Sequence, residues 1–190
     1  MDACPAAVVI GASAGALEAL SAILPALPAN YPRAVMVVVH LPPDRDSILV
    51  DLLNKKCRIP VREAEDKEPI APGTIYVAPP DYHLLVETDH RLSLSSEEPV
   101  HFSRPSIDVL FTTAAQAFRE DLIGIVLSGA NQDGADGLLA IHRAGGKTFV
   151  QHPDTAASPE MPTAALNACP EALALSLAEI ASLLASEAAS

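Results

Sequence analysis

Residues 6–15 read Ala6-Ala7-Val8-Val9-Ile10-Gly11-Ala12-Ser13-Ala14-Gly15, an apolar run that passes directly into a serine held between small residues and glycines. The apolar part predicts a strand over Val8–Ile10. Gly11 and Gly15 remove side chains where a sharp strand-to-helix turn brings backbones together. A serine at such a turn has the wiring of a nucleophile elbow. Ser13 is then exposed at the tip of a sheet, with the amides of the following helix aimed at whatever it attacks. Two other readings fit the same ten residues. The serine can simply cap a helix that begins near Gly15, and glycine-rich turns after a first strand also bind nucleotides.

Outward from this stretch, apolar runs alternate with longer amphipathic ones. Leu17–Leu27 predicts a helix ended by Pro25 and Pro28. The β-branched run Ala34–Val39 predicts a strand buried on both faces. Residues 46–57 carry Ile48, Leu49, Leu52 and Leu53 at helical spacing. Thr74–Ala78 reads as a short strand, and Leu84–Val86 with Leu92–Leu94 as a hairpin. Helix over Ser106–Phe118, strand over Leu122–Leu127, helix over Gly134–Ala144 and strand over Lys147–Val150 follow, then helices at 162–168 and 177–185. Strands separated by helices imply βαβ crossovers. The expected architecture is a three-layer, doubly wound α/β fold with a mainly parallel sheet and an antiparallel hairpin at one edge. It reads as a single domain over 1–190, with its core at about 6–185.

The chain has 190 residues, enough to bury roughly 70% of its unfolded surface. No apolar run approaches the roughly 18 residues of a membrane span, so no membrane insertion is expected. The first residues lack the basic region of a secretory signal. Cys4, Cys57 and Cys169 show no Cys-x-x-Cys pairing and read as reduced cytosolic thiols, not a disulfide framework or zinc site. A cytoplasmic location follows. A net charge of −12 argues against nucleic-acid or anionic-membrane partners.

In a parallel sheet, sites form beyond the carboxyl ends of the strands. The first strand ends in Ser13, the second in His40, and the strand at 122–127 runs into Ser128-Gly129-Ala130-Asn131-Gln132-Asp133-Gly134. These supply the members of a Ser-His-Asp triad. Ser13 would attack a carbonyl carbon, His40 would take its proton and hand it to the leaving group, and Asp133 would fix the imidazole. The backbone amides of Ala14 and Ala130 are candidate oxyanion donors. This chemistry calls for no metal and no cofactor. His152, which also follows a strand, rivals His40; Asp136 can exchange roles with Asp133. An α/β-hydrolase carries its elbow mid-chain with the order Ser, acid, His. Here the serine is at position 13 and the order is Ser, His, Asp, which indicates a different doubly wound fold.

The chain resembles the catalytic domain of the CheB family of chemotaxis protein-glutamate methylesterases. The resemblance runs from about Val8 to Leu183 and is carried by several ordered segments. They are Val9–Gly15, Val39-His40-Leu41-Pro42, Glu63–Asp66, Pro72–Pro79 with Asp81 and His83, Arg104–Phe111, Leu127-Ser128-Gly129, Asp133–Gly137, Gly145-Gly146 and Met161-Pro162. It implies that the triad falls on Ser13, His40 and Asp133. It also implies hydrolysis of γ-glutamyl methyl esters on chemoreceptor cytoplasmic helices, and the related deamidation of receptor glutamine. The family often carries an N-terminal receiver domain. Here the first catalytic strand begins within ten residues of Met1; two expectations stand side by side, a free-standing, constitutively open enzyme with a separate regulatory protein in a receiver's place, or a catalytic piece of a longer chain.

Three departures stand out: Ala14 and Ala16 replace residues of the usual Ser-Thr-Gly-Gly elbow, and Ala130-Asn131 replaces Met-Gly. The altered Ala130-Asn131 segment motivates an alternative reading, a catalytically weak or inactive domain that serves as a signalling or binding module. An acidic enzyme acting on acidic receptor segments also calls for local basic groups, for which Arg45, Lys55, Lys56 and Arg104 are candidates.

Overall fold

The computed structural model describes residues 6–41 and 46–189; Cys4, Pro42, Pro43 and Arg45 lie outside them. In chain order the elements are β1 (Ala7–Ala12), α1 (Ala16–Ile23), β2 (Ala34–Val39), α2 (Asp46–Lys56), β3 (Val61–Glu63), β4 (Ile75–Val77), β5 (His83–Val86) and β6 (Leu92–Ser95). They continue with α3 (Ile107–Phe118), β7 (Leu122–Val126), α4 (Ala135–Arg143), β8 (Lys147–Gln151), α5 (Glu160–Ala168), β9 (Leu173–Leu175) and α6 (Leu177–Ser186).

Seven strands form one sheet in the order β3-β4-β2-β1-β7-β8-β9, and every pairing in it is parallel. The inner strands β1, β2, β4 and β7 are buried along their whole length because both of their faces are covered, whereas the edge strands β3 and β9 are partly exposed. Side chains alternate across a strand, so the inner strands feed two cores. Val9, Met36, Val38 and Val126 pack with Ile107, Phe111, Leu138 and Met161 from α3, α4 and α5. Val8, Ile10, Val35, Val37 and Ile125 pack with Leu20, Leu53, Ile180 and Leu184 from α1, α2 and α6. This is the three-layer α/β arrangement read from the sequence.

The antiparallel hairpin is present as β5–β6, a separate two-stranded sheet packed against α3. The helix expected over Leu17–Leu27 is α1 followed by a 3-10 turn at Leu24–Ala26, where Pro25 tightens the chain. Two strands escaped the sequence reading, β3 and β9. Each has three residues and lies at a sheet edge, too short for an alternation to register.

β1 lies between β2 and β7. The chain leaves β1 to one side and returns on the other, so the strand order reverses there. Such a reversal opens a crevice beyond the strand ends. It also sets the termini of β1, β2 and β7 side by side.

Candidate active site

The elbow is built by the ends of these three strands. Leu127 N–H donates to the Gly11 carbonyl and His40 N–H to that of Ala12, at 2.9 and 3.2 Å. Ser13 N–H donates to the Ser128 carbonyl at 2.9 Å, which pins the nucleophile candidate to the β7 loop. The chain then turns through Gly15, whose φ of 84° lies in the left-handed region. A Cβ there would meet the Ala157 methyl at 2.9 Å and the Ser128 hydroxyl at 3.0 Å. Ser128 clamps the turn, donating to the Ala14 carbonyl at 2.6 Å and accepting from Ser158 N–H at 2.9 Å.

Asp133 is fully buried. Its Oδ2 meets His40 Nε2 at 2.8 Å and accepts from Ile107 N–H at 2.6 Å. Its Oδ1 accepts from the Ser106 hydroxyl at 2.9 Å and from Asp108 N–H at 3.0 Å. The carboxylate thus sits on the N-terminus of α3, where free amides and the helix dipole favour an anion. Burial pushes its pKa up, but the His40 hydrogen bond and the amides of Asp108 and Ile107 outweigh it. The carboxyl is held below the ordinary aspartate value.

An ionised Asp133 accepts only, so His40 must carry its proton on Nε2 and present a bare Nδ1. Asn131 Nδ2 lies 3.3 Å from that Nδ1. The orientation of this amide follows from its other end, because Asn131 Oδ1 accepts from Asp133 N–H at 3.0 Å. The nitrogen therefore faces the imidazole and donates to it.

Ser13 and His40 line one cavity of about 930 Å³, together with Ala14, Gly15, Leu17, Glu18, Leu41 and Lys56. The Ser13 hydroxyl makes no hydrogen bond to His40 among the described residues; catalytic contacts of this kind often tighten only with substrate bound. The amides of Ala14 and Gly15 also donate to no acceptor among the described residues, and both residues are exposed at the cavity wall. Ala130 is exposed and does not line this cavity. The rivals sit elsewhere. His152 accepts from Asp154 N–H at 3.3 Å and caps its own turn. Asp136 is an exposed residue in the first turn of α4. Of the basic candidates, Lys56 reaches the cavity, whereas Arg104 is committed to Asp81 at 2.7 Å.

Sequence reasoning missed the support of the acid. Ser106 and the amides of Ile107 and Asp108 come from a segment 25–27 residues before Asp133. The only signal was the motif Arg104–Phe111 itself, which carries no chemistry until α3 is placed. Asn131 stood out as a departure but not as a neighbour of His40.

The model of the CheB methylesterase family matches residues 8–184. A Leptospira interrogans protein named "Putative protein-glutamate methylesterase/protein-glutamine glutaminase" is 48% identical over 177 residues, 93% of this chain and 92% of that protein. The protein-glutamate methylesterase/protein-glutamine glutaminase of Symbiobacterium thermophilum is 39% identical over 155 residues; the match covers 82% of this chain but only 43% of that longer protein. The crystal structure of the Thermotoga maritima CheB methylesterase catalytic domain superposes with a TM-score of 0.92 at 29% identity, covering 97% of this chain and 99% of that one.

Proposed function

The chain belongs to the CheB methylesterase family, and from that premise we propose that it is a cytoplasmic serine hydrolase that demethylates glutamyl methyl esters on the helices of methyl-accepting chemoreceptors. Residues 6–185 act as one catalytic unit, and glutamine deamidation is the same acyl chemistry with ammonia as the leaving group. The observation that carries this reading is the 2.8 Å contact between a buried Asp133 and His40, which lines one cavity with Ser13.

With Nε2 committed to Asp133, Nδ1 is the nitrogen left to act on Ser13. The Ser13 oxygen attacks the ester carbonyl as its proton passes to Nδ1. Asp133 then faces an imidazolium, and its charge stabilises that cation. The tetrahedral oxyanion is met by the free amide of Ala14, with that of Gly15 beside it. Collapse expels methanol, which takes the proton back from His40. Water repeats the cycle on the acyl-serine and frees the glutamate. Lys56 at the cavity rim supplies a positive charge toward an acidic receptor segment.

The test is methanol release from methylated receptor. Ser13→Ala and His40→Ala should each lower kcat by roughly three orders of magnitude or more, with the folded state unchanged by circular dichroism. His152→Ala should act like the parent protein. Activity retained in Ser13→Ala rejects the mechanism, and a dominant effect of His152→Ala reassigns the base. Stoichiometric labelling of Ser13 by a fluorophosphonate separates the enzyme from a binding module, which would not react.

A further inference from the structure

At the first turns of α3 and α4, His101, Asp108 and Asp136 each offer one potential ligand atom, all within 4.8 Å of one another. Asp108 is the anchor. Its side chain is only 10% exposed. Oδ1 accepts from Gly134 N–H at 3.0 Å and from Gly137 N–H at 2.7 Å. Oδ2 is buried and accepts no hydrogen bond among the described residues, while His101 Nε2 stands 3.3 Å from it. A buried carboxylate oxygen left without a donor is costly. Here a second carboxylate, Asp136, stands close by and raises that cost. Asp133 adds a third negative charge through its contact with Asp108 N–H.

We propose that His101, Asp108 and Asp136 bind one divalent transition-metal ion, of the zinc, cobalt or manganese kind. One imidazole nitrogen with two carboxylates is a donor set for such ions, whereas calcium and magnesium prefer oxygen alone. Adjacent ligands around a zinc ion stand roughly 3.3 Å apart, given bond lengths near 2.1 Å. The His101–Asp108 pair already has that separation. His101 and Asp136 are exposed side chains, free to close the remaining gap. A cavity of about 410 Å³ opens beside them, lined by Gln132, Asn167 and Ala168 as well as His101 and Asp136, with room for water to complete the coordination shell. The ion gives Asp108 Oδ2 its missing partner and ties the loop carrying His101 to the first turns of α3 and α4. The site does not depend on the ester chemistry, since none of its three ligands lines the Ser13 cavity.

Titration of the full chain with Zn²⁺ by calorimetry, and with Mn²⁺ by electron paramagnetic resonance, tests the site. One saturable equivalent is expected, with a rise in Tm on loading. His101→Ala and Asp136→Ala should each weaken binding at least about tenfold and abolish the metal-dependent rise in Tm. His152→Ala should change neither. The two exposed ligands are the ones replaced because Asp108 also holds the α4 amides, so its loss disturbs the fold. Absence of saturable binding of both ions overturns the proposal. So does binding that survives both His101→Ala and Asp136→Ala, or binding that His152→Ala removes.

Discussion

Asn131 donates its side-chain amide to the one imidazole nitrogen that the proposed reaction must use. At 3.3 Å it is a weak hydrogen bond, one that a serine hydroxyl can displace. It holds the ring in place while the Nδ1 lone pair waits. Asn131→Asp keeps an oxygen for Asp133 N–H but turns the other end from donor to acceptor. A proton on Nδ1 is then favoured, and an occupied nitrogen cannot take the one from Ser13. We expect kcat/KM at neutral pH to fall at least about tenfold, roughly 1.4 kcal/mol in the barrier. Esterase assays on the two proteins measure this; a kcat/KM equal to the parent's refutes it. The type and order of Ser13, His40 and Asp133 were legible in the sequence because Ser13 and His40 directly follow strands and Asp133 lies in the loop after a third. The role of Asn131 was not. A side-chain amide carries no pattern, and its partner stands 91 residues away.

At the scale of elements, two helices exchange acids. Asp133, just before α4, is held by the N-terminus of α3, and Asp108, in the first turn of α3, accepts from amides at the start of α4. Each carboxylate meets the positive end of the other helix. This exchange requires α3 to approach the sheet closely, and Gly11 makes the room: a Cβ there would fall 2.4 Å from Ile107 Cγ2. Gly11→Ala should therefore push back the first turn of α3, whose Ile107 N–H holds Asp133. We expect a loss of about 1–3 kcal/mol in urea denaturation and reduced esterase activity with Ser13, His40 and Asp133 all present. Unchanged stability would show that α3 yields without cost. The sequence marked Gly11 as part of a turn, and its contact with α3 was invisible there because Ile107 lies 96 positions further along.

Across the whole molecule, ends of the chain far apart in sequence are tied by Glu187. Its carboxylate meets Lys147 Nζ, at the start of β8, at 2.8 Å and Arg33, ahead of β2, at 2.7 Å. The Lys147 hydrogen bond lowers its pKa most; burial opposes this and the Arg33 charge adds to it. A carboxyl lowered on folding stabilises the protein above the unfolded glutamate value of about 4.3. That stabilisation is lost as pH falls through the lower folded value. Glu187→Gln should therefore cost about 1 kcal/mol or less at pH 6–8, and the difference from the parent protein should vanish as the pH drops below about 4. Paired urea titrations check this, and a gap that widens in acid contradicts it.

At the same scale, the sequence by itself determined which segments are strands and helices, because buried parallel strands must be apolar along their whole length. It also determined that a serine and a histidine follow directly on strands and that an acid lies in the loop after a third. Two short edge strands were beyond it, since three residues carry no period. Only the tertiary structure decided that β2, β1 and β7 are neighbours, that His40 meets Asp133 through Nε2, and that His101 and Asp136 gather around a buried Asp108. The physical reason is range. Local periodicity and turn chemistry act over a few residues, whereas the His40–Asp133 contact joins positions 93 apart and exists only after strand order has brought them together.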